Sequence, residues 1–264
     1  MLLWIQINLF RLSSQLNYEL SICSPWSKYL DKENKFTGWV DVGLSQRGNT
    51  EAIEAGKLLS DIDFIPNICY TSFLTRSKET ALLVLSEIFT SEDATYTKKE
   101  LWQLNERHYG ALQGLDKLQT ANEFGEEQVH SWRRGYKTQP PLVKEESKYN
   151  PNNDLMYEDI HEKLPLGESL EDVVLRVKKT LDIIKASTKE GNVLVVAHGN
   201  SIRAMIKILE GIPDKDIVDI NIPTGIPLAF NINDDKITRI GYLGNVEKIK
   251  ELEKEVKLQS RLKE

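Results

Sequence analysis

In NVLVVAHGNSIRAMIKILEG, Asn192 to Gly211, an unbroken apolar run (Val193 to Ala197) gives way to His198-Gly199-Asn200-Ser201 and then to a helical pattern ended by Gly211. A short β-branched run with no polar alternation is the pattern of a strand buried on both faces. A strand, a tight polar turn containing glycine and a helix form one half of a βαβ unit. The opening turn of such a helix has unpaired backbone N–H groups that favour an anion. His198 then falls at the carboxyl end of the strand, where open α/β sheets bind their ligands. The stretch therefore predicts a histidine held over an anion site. An isolated Ala-His-Gly is more often a core histidine in a loop, so the rest of the chain has to decide.

Working outward, Leu170, Val173, Val174, Val177, Leu181 and Ile184 form a helical stripe behind a capping-box-like Ser169-Leu170-Glu171-Asp172. Ser45 is an N-cap candidate for a helix whose Ala52, Ala55, Gly56 and Leu59 give a small-residue packing face. Ile68 to Thr71 reads as a strand, and Ser72 to Phe89 as a helix with Arg76 in its first turn. A cation there opposes the helix dipole, so Arg76 is either solvated or a ligand to an anion. Lys117 to Gly125 reads as helix, Gln139 to Pro165 as a long surface loop, and Leu228 to Ile232 and Ile237 to Leu243 as strands. Asn245 to Glu264 reads as an amphipathic helix or frayed tail. Helices alternating with short apolar strands predict a layered α/β fold with a mainly parallel sheet, closed by an antiparallel edge.

Composition sets outer limits. The 264 residues are 40% hydrophobic and 28% charged, ordinary for a globular domain, and the net charge of −6 argues against general nucleic-acid affinity. No apolar run approaches the ~20 residues needed to cross a bilayer. Cys23 and Cys69 lie outside any metal spacing and read as free thiols in a reducing compartment. The start, MLLWIQINLFRLSS, has polar residues inside it and no basic opening, a poor secretory leader, so the expected location is cytoplasmic. Leu2 to Phe10 is a candidate buried strand, whereas Arg11 to Leu30 shows no clean period.

Several segments are dense in functional groups. Leu104 to Gly110 reads LNERHYG, Ser131 to Tyr136 reads SWRRGY, and Phe36 to Trp39 reads FTGW. Together with YTSFLTRSKET (Tyr70 to Thr80), LPLGESL (Leu164 to Leu170), AHGNSIRA (Ala197 to Ala204) and IPTGIPL (Ile222 to Leu228), they stand in the order found in one family. From Asp31 to about residue 244 the chain resembles the cofactor-dependent phosphoglycerate mutases of the histidine phosphatase superfamily.

The resemblance implies a three-layer sandwich: a mainly parallel six-stranded sheet, one antiparallel edge strand, and helices on both faces. It implies the glycolytic and gluconeogenic interconversion of 2- and 3-phosphoglycerate, 2,3-bisphosphoglycerate as priming phosphate donor, and no metal. It also implies a homodimer or homotetramer whose partner is a small anionic phosphate substrate, with neither nucleic acid nor membrane involved. Arg76 and His198 would line the phosphate pocket, and Glu106 would be the general acid/base. Thr37, Gly38, Arg107, Tyr109, Lys117, Arg133, Arg134, Gly199 and Asn200 would hold phosphoglycerate or bisphosphate. Without a metal, Arg, His and helix N-termini must stabilise the transferred charge.

One expected group is absent. The family takes the phosphoryl group on a histidine in an Arg-His-Gly triplet at the end of its first strand, followed by Ser, Trp and Asn before the Phe-Thr-Gly-Trp loop. Counting back from Phe36, the triplet falls on Ser24-Pro25-Trp26, and the Trp and Asn fall on Leu30 and Asp31. The four histidines are His108, His130, His161 and His198, so no gap placement supplies one. Residues 1–30 thus read as an atypical segment before a mutase-like domain at 31–244 and a tail at 245–264. Either the start is not native to the family (a frameshift, a mis-called start or a decayed gene), or the chain is a phosphate-binding pseudoenzyme.

Overall fold

The computed structural model describes residues 18–24, 34–89, 95–233 and 236–260. The expected strand at Leu2 to Phe10 lies outside them. Strand β1 is Tyr18–Cys23, inside the stretch whose sequence shows no clean period. It is followed by α1 (Gln46–Ser60), β2 (Ile68–Thr71), α2 (Thr75–Ile88) and β3 (Thr97–Glu100). Next come α3 (Lys117–Phe124), α4 (Glu126–Arg134), α5 (Leu170–Ser187), β4 (Val193–Val196) and α6 (Gly199–Glu210). Strands β5 (Leu228–Asn233) and β6 (Lys236–Tyr242) and helix α7 (Val246–Ser260) complete the order.

The strands form one six-stranded sheet in the order β3-β2-β4-β1-β5-β6. β1 pairs parallel with β4, Cys23 opposite Val196, and antiparallel with β5. The reversed strand is β5, one in from the β6 edge. The expected α/β sandwich is the fold observed, with an interior strand supplied by residues whose side-chain pattern does not announce one.

Alternation puts Leu20, Ile22, Ile68, Tyr70, Val193 and Val195 on one face, against Leu170, Val173, Val177 and Leu181 of α5 and Ile202 and Met205 of α6. Cys23, Cys69, Leu194 and Val196 face the other way, onto Ala55 and Leu59 of α1 and Ala81, Val84 and Leu85 of α2. Both faces of the sheet are therefore covered, as the continuous apolar run of β4 requires. The Ser169 hydroxyl accepts from the Asp172 N–H while the Asp172 carboxylate accepts from the Ser169 N–H, fixing the start of α5.

Two expectations need correction. Helix α2 starts at Thr75 rather than Ser72, because the Ser72 N–H donates to Ser77 Oγ and its own hydroxyl is used elsewhere. The segment from Gln139 to Pro165 is not simply surface loop. It contains the short turns Pro151–Asn153 and Leu155–Tyr157, and Tyr157 is buried against Trp39 and Phe73. The C-terminal tail is helical as α7, and its Ile249 and Leu252 pack on Ile226.

Candidate active site

The ends of β2 and β4 and the opening turns of α2 and α6 converge at one edge of the sheet. His198 caps α6 directly after β4 and is 2% exposed. Its Nε2 lies 2.7 Å from Ser72 Oγ, just past the end of β2. Burial first, and then the positive charges of Arg76 and Arg176, hold its pKa well below the usual histidine value. The imidazole is therefore neutral in the folded protein.

Arg76 is buried in the first turn of α2. Its guanidinium donates to the Gly38 carbonyl at 2.8 Å and to the Val40 carbonyl at 3.1 Å. It thereby ties the Phe-Thr-Gly-Trp loop to the pocket. Gly38 has φ +51°, and a Cβ there would lie 2.4 Å from Gln113 Oε1 and 3.1 Å from the Arg107 carbonyl, so glycine is required. The Gln113 oxygen accepts the Trp39 N–H at 2.7 Å. Thr37, half-buried beside Gly38, closes the turn by accepting the Val40 N–H at 2.9 Å.

Glu106 is the focus of the cluster. Its Oε1 accepts from the Arg107 N–H at 2.7 Å, the Asn200 N–H at 3.3 Å and the Asn200 side-chain amide at 2.9 Å. Two of these donors belong to the first turn of α6, so the helix N-terminus is turned onto a carboxylate, as its dipole favours. Oε2 takes part in none of these bonds and lies 3.9 Å from where a Cβ on Gly199 would stand. Tyr109 contributes its hydroxyl 3.4 Å from the Asn200 amide.

Arg107 has another occupation. It is 0% exposed, with its guanidinium on the carbonyls of Glu168 (2.6 Å), Thr138 (2.8 Å) and Arg133 (3.3 Å). Burial depresses its pKa, and its side chain in this structure pins the Glu106 segment to α4 and the loop before α5. Arg133 and Arg134 end α4. Arg134 donates to Asn221 Oδ1 at 3.3 Å, but its Nη1 is buried without a partner. Burial, and then the charge of Arg203, push its pKa down to about 10. Lys117 starts α3, where its N–H donates to the Asn34 carbonyl at 2.8 Å.

Four residues that sequence reasoning did not single out hold this arrangement. Ser72 orients His198. Arg203, 6% exposed, donates to Asn200 Oδ1 at 2.9 Å and to the Ile220 carbonyl at 2.9 Å. Occupying the amide oxygen of Asn200 fixes which end of that side chain meets Glu106. Glu168 and Arg176 form a buried pair (2.6 Å and 3.0 Å), with Glu168 also accepting the His108 N–H at 2.8 Å and Arg176 donating to the Glu106 carbonyl at 2.9 Å. One cation, Arg176, which also donates to the Gln103 carbonyl, and the buried Glu168 carboxylate thus brace the backbone on both sides of Glu106. A serine just past a short strand, or an Arg inside an amphipathic helix, has no sequence signal that separates it from ordinary capping or solvated charge.

The cluster suits an anion. Arg134 offers a desolvated, unpartnered donor beside a second buried guanidinium, a cost that an incoming carboxylate or phosphate removes. Among the described residues no group of three or more His, Cys, Asp or Glu side chains could hold a metal ion, and no helix is long and apolar enough to cross a membrane.

Comparison with known proteins agrees. The model of the histidine phosphatase superfamily (branch 1) matches residues 26–150 and 143–239. A 2,3-bisphosphoglycerate-dependent phosphoglycerate mutase of Lachnoclostridium phytofermentans is 45% identical over 224 residues, 83% of this chain and 89% of that protein. One from an Arthrobacter species is 42% identical over 222 residues, covering 83% and 88%. Among solved structures, a mycobacterial glucosyl-3-phosphoglycerate phosphatase superposes with TM-score 0.64 at 19% identity, over 87% of this chain and 99% of that one. An alpha-ribazole phosphatase from Shigella flexneri gives 0.63 at 19%, over 86% and 96%. These two support the fold alone. With the fold, the site and the sequence matches in agreement, the chain belongs to the 2,3-bisphosphoglycerate-dependent phosphoglycerate mutase family of the histidine phosphatase superfamily.

Proposed function

We propose that this chain is a phosphoglycerate mutase by descent, with a pocket for 2- and 3-phosphoglycerate and 2,3-bisphosphoglycerate, and that it does not complete the mutase reaction. The observation that carries the first half is the Glu106 carboxylate. One of its oxygens is fixed by the Arg107 N–H and by two N–H donors of Asn200 at the start of α6, and the other takes part in none of those bonds, with neutral His198 capping the same helix. Glu106 Oε2 is the oxygen suited to give a proton to, and take one from, a substrate oxygen. Arg76, His198 and the α6 N-terminus would meet the phosphoryl oxygens, and Arg133 and Arg134 the carboxylate. 2,3-Bisphosphoglycerate, when bound, would offer a phosphoryl group to a residue able to accept one.

The second half rests on the histidine count. His108 is buried behind Glu106, and no histidine precedes it in the chain. Removing the nucleophile from a set of groups that act together costs on the order of 10⁶ in rate in a well-studied protease, and binding groups do not restore it. The alternative reading, a pseudoenzyme that binds phospho-metabolites, shares this pocket. In both readings the chain is cytoplasmic and a homodimer or homotetramer, which sedimentation tests.

The experiment has two arms. Calorimetry with 3-phosphoglycerate should give binding with a Kd below a millimolar. Incubation with labelled 2,3-bisphosphoglycerate should leave no acid-labile label on the protein. No binding at millimolar ligand ends the pocket assignment, and a labelled phosphohistidine ends the claim that turnover is lost.

A further inference from the structure

Strand β1 occupies the interior of the sheet, yet its sequence is a poor fit to that place. Leu20, Ile22 and Cys23 are buried apolar groups, but Ser21 between them is 1% exposed and its hydroxyl has no hydrogen-bond partner. Thr71 on β2 also holds a buried hydroxyl without a partner, so what marks β1 is that its sequence as a whole lacks the continuous apolar run of β4. The strand is nevertheless in the register the site needs. The Cys23 carbonyl accepts the Ala197 N–H at 3.0 Å and the Ser24 carbonyl accepts the Gly225 N–H at 3.1 Å, which sets Ser24 level with Ala197, the residue before His198. A backbone in the right place with side chains of the wrong kind raises the question of what the same nucleotides encode in another frame.

The genetic code answers it. Back-translate Ser24-Pro25-Trp26-Ser27 as TCG CCA TGG TCA and read one base later: CGC CAT GGT is Arg-His-Gly. The glycine is obligatory. Trp26 has the single codon TGG and every serine codon opens with T or A, so the displaced triplet is GGT or GGA. The arginine requires that Ser24 be TCG, since CG followed by any base is arginine and no other serine codon leaves CG. The histidine requires that Pro25 be CCA followed by a pyrimidine, which the T of Trp26 provides.

The coincidence continues in both directions. Lys28 as AAG before Tyr29 gives AGT, serine, and Leu30 as TTG or CTG before the G of Asp31 gives TGG, tryptophan. The two remaining bases of Asp31, with one base added ahead of them, give AAT, asparagine, and the frame rejoins at Lys32. Upstream, Leu20-Ser21-Ile22-Cys23 as CTT AGT ATT TGT reads Leu-Val-Phe-Val, an apolar, largely β-branched run that replaces the orphaned Ser21 with valine. The displaced reading thus supplies Arg-His-Gly, Ser, Trp and Asn at the positions of Ser24-Pro25-Trp26, Lys28, Leu30 and Asp31, together with the apolar strand that precedes them.

We infer that Tyr18 to Leu30 is the out-of-frame translation of a mutase strand and phosphoacceptor loop, separated from Lys32 onward by one missing base within or beside the codon for Asp31. The nucleophile site is encoded in the DNA and lost only from the polypeptide. This rests on the mutase reading for its meaning, but not for its test.

Sequencing the genomic DNA across Leu20 to Lys32 decides it. The expected codons are TCG for Ser24, CCA for Pro25, AAG for Lys28 and TTG or CTG for Leu30. Any other codon at Ser24 or Pro25 overturns the inference. A gene carrying that displaced frame, with one base restored before Lys32, is then expressed beside the present chain and given labelled 2,3-bisphosphoglycerate. The restored protein is expected to take up acid-labile label approaching one phosphoryl group per chain and the present one none. In that step a P–O bond of the bisphosphate breaks, a P–N bond to the imidazole forms, and the departing oxygen takes a proton from Glu106. Matching codons with an unlabelled restored protein would uphold the frame and overturn the mutase reading instead.

Discussion

Acidification should loosen this fold through His108 before most carboxylates titrate. His108 is fully buried, accepts the Gly110 N–H on Nδ1 at 3.0 Å, and so carries its proton on Nε2, 3.3 Å from the Tyr149 carbonyl. Burial, with a smaller contribution from Arg176, lowers its pKa to about 4. A folded pKa below the unfolded one means that the unfolded chain binds the proton more tightly. Stability is therefore full above about pH 6.5 and falls as the pH drops from there towards 4, levelling off below it. A gap of roughly 2.5 pKa units corresponds to about 3 kcal/mol. His198, depressed for the same reasons, adds in the same direction.

Urea unfolding between pH 7 and pH 4 measures the slope. In His108→Asn the side-chain oxygen keeps an acceptor near Gly110 but cannot titrate. Its curve should start lower at pH 7, because the Tyr149 carbonyl loses its partner, and should run flatter by about 3 kcal/mol across this range. Parallel curves for the two proteins would refute the assignment of the pH dependence to this histidine.

Arg176→Met leaves Glu168 charged and buried without its partner and should cost about 3–5 kcal/mol, read as a drop in the urea midpoint. Gly38→Ala forces a Cβ against Gln113 and the Arg107 backbone at positive φ, and should cost on the order of 1–3 kcal/mol while weakening 3-phosphoglycerate binding by calorimetry. Arg203→Lys keeps the charge but loses the fork that joins Asn200 to the Ile220 carbonyl. It should weaken that binding roughly tenfold, about 1.4 kcal/mol, and unchanged affinity would show that Asn200 orients itself.

Much of this was legible in the sequence for a physical reason: where burial of a whole face sets the pattern, periodicity reports it. The run from Val193 to Ala197, the stripe of α5 and the small residues of α1 fall where they were expected. Strand β3 has no such signal. Thr97-Lys98-Lys99-Glu100 is exposed throughout and is held by its ladder to β2, with Lys78 and Lys98 paired to Glu100. Strand β1, Tyr18–Cys23, is set by pairing with β4 and β5 rather than by a hydrophobic pattern, and the apolar Leu2 to Phe10 lies outside the described residues. In the site, Glu106, His198 and Asn200 carry family motifs. Ser72, Glu168, Arg176 and Arg203 do not stand out, because their burial arises only when distant elements meet.

The same distinction bears on the proposal that this chain keeps the fold without completing the reaction. Ladder hydrogen bonds are made by backbone groups common to all residues but proline, so an interior strand of altered sequence can still pair if enough of its side chains are apolar. Leu20, Ile22 and Cys23 meet that condition, and the discrepancy is confined to the orphaned hydroxyl of Ser21. Under the proposed function catalysis has no comparable tolerance, because the phosphoryl group would need a ring nitrogen to accept it and no backbone atom substitutes for one. The residues that line the pocket lie from Thr37 onward, on the family-like side of the break in the sequence, and they assemble whatever precedes them. The Glu106–Asn200–His198 cluster therefore bears on descent and on the proposed binding, and carries no weight on turnover.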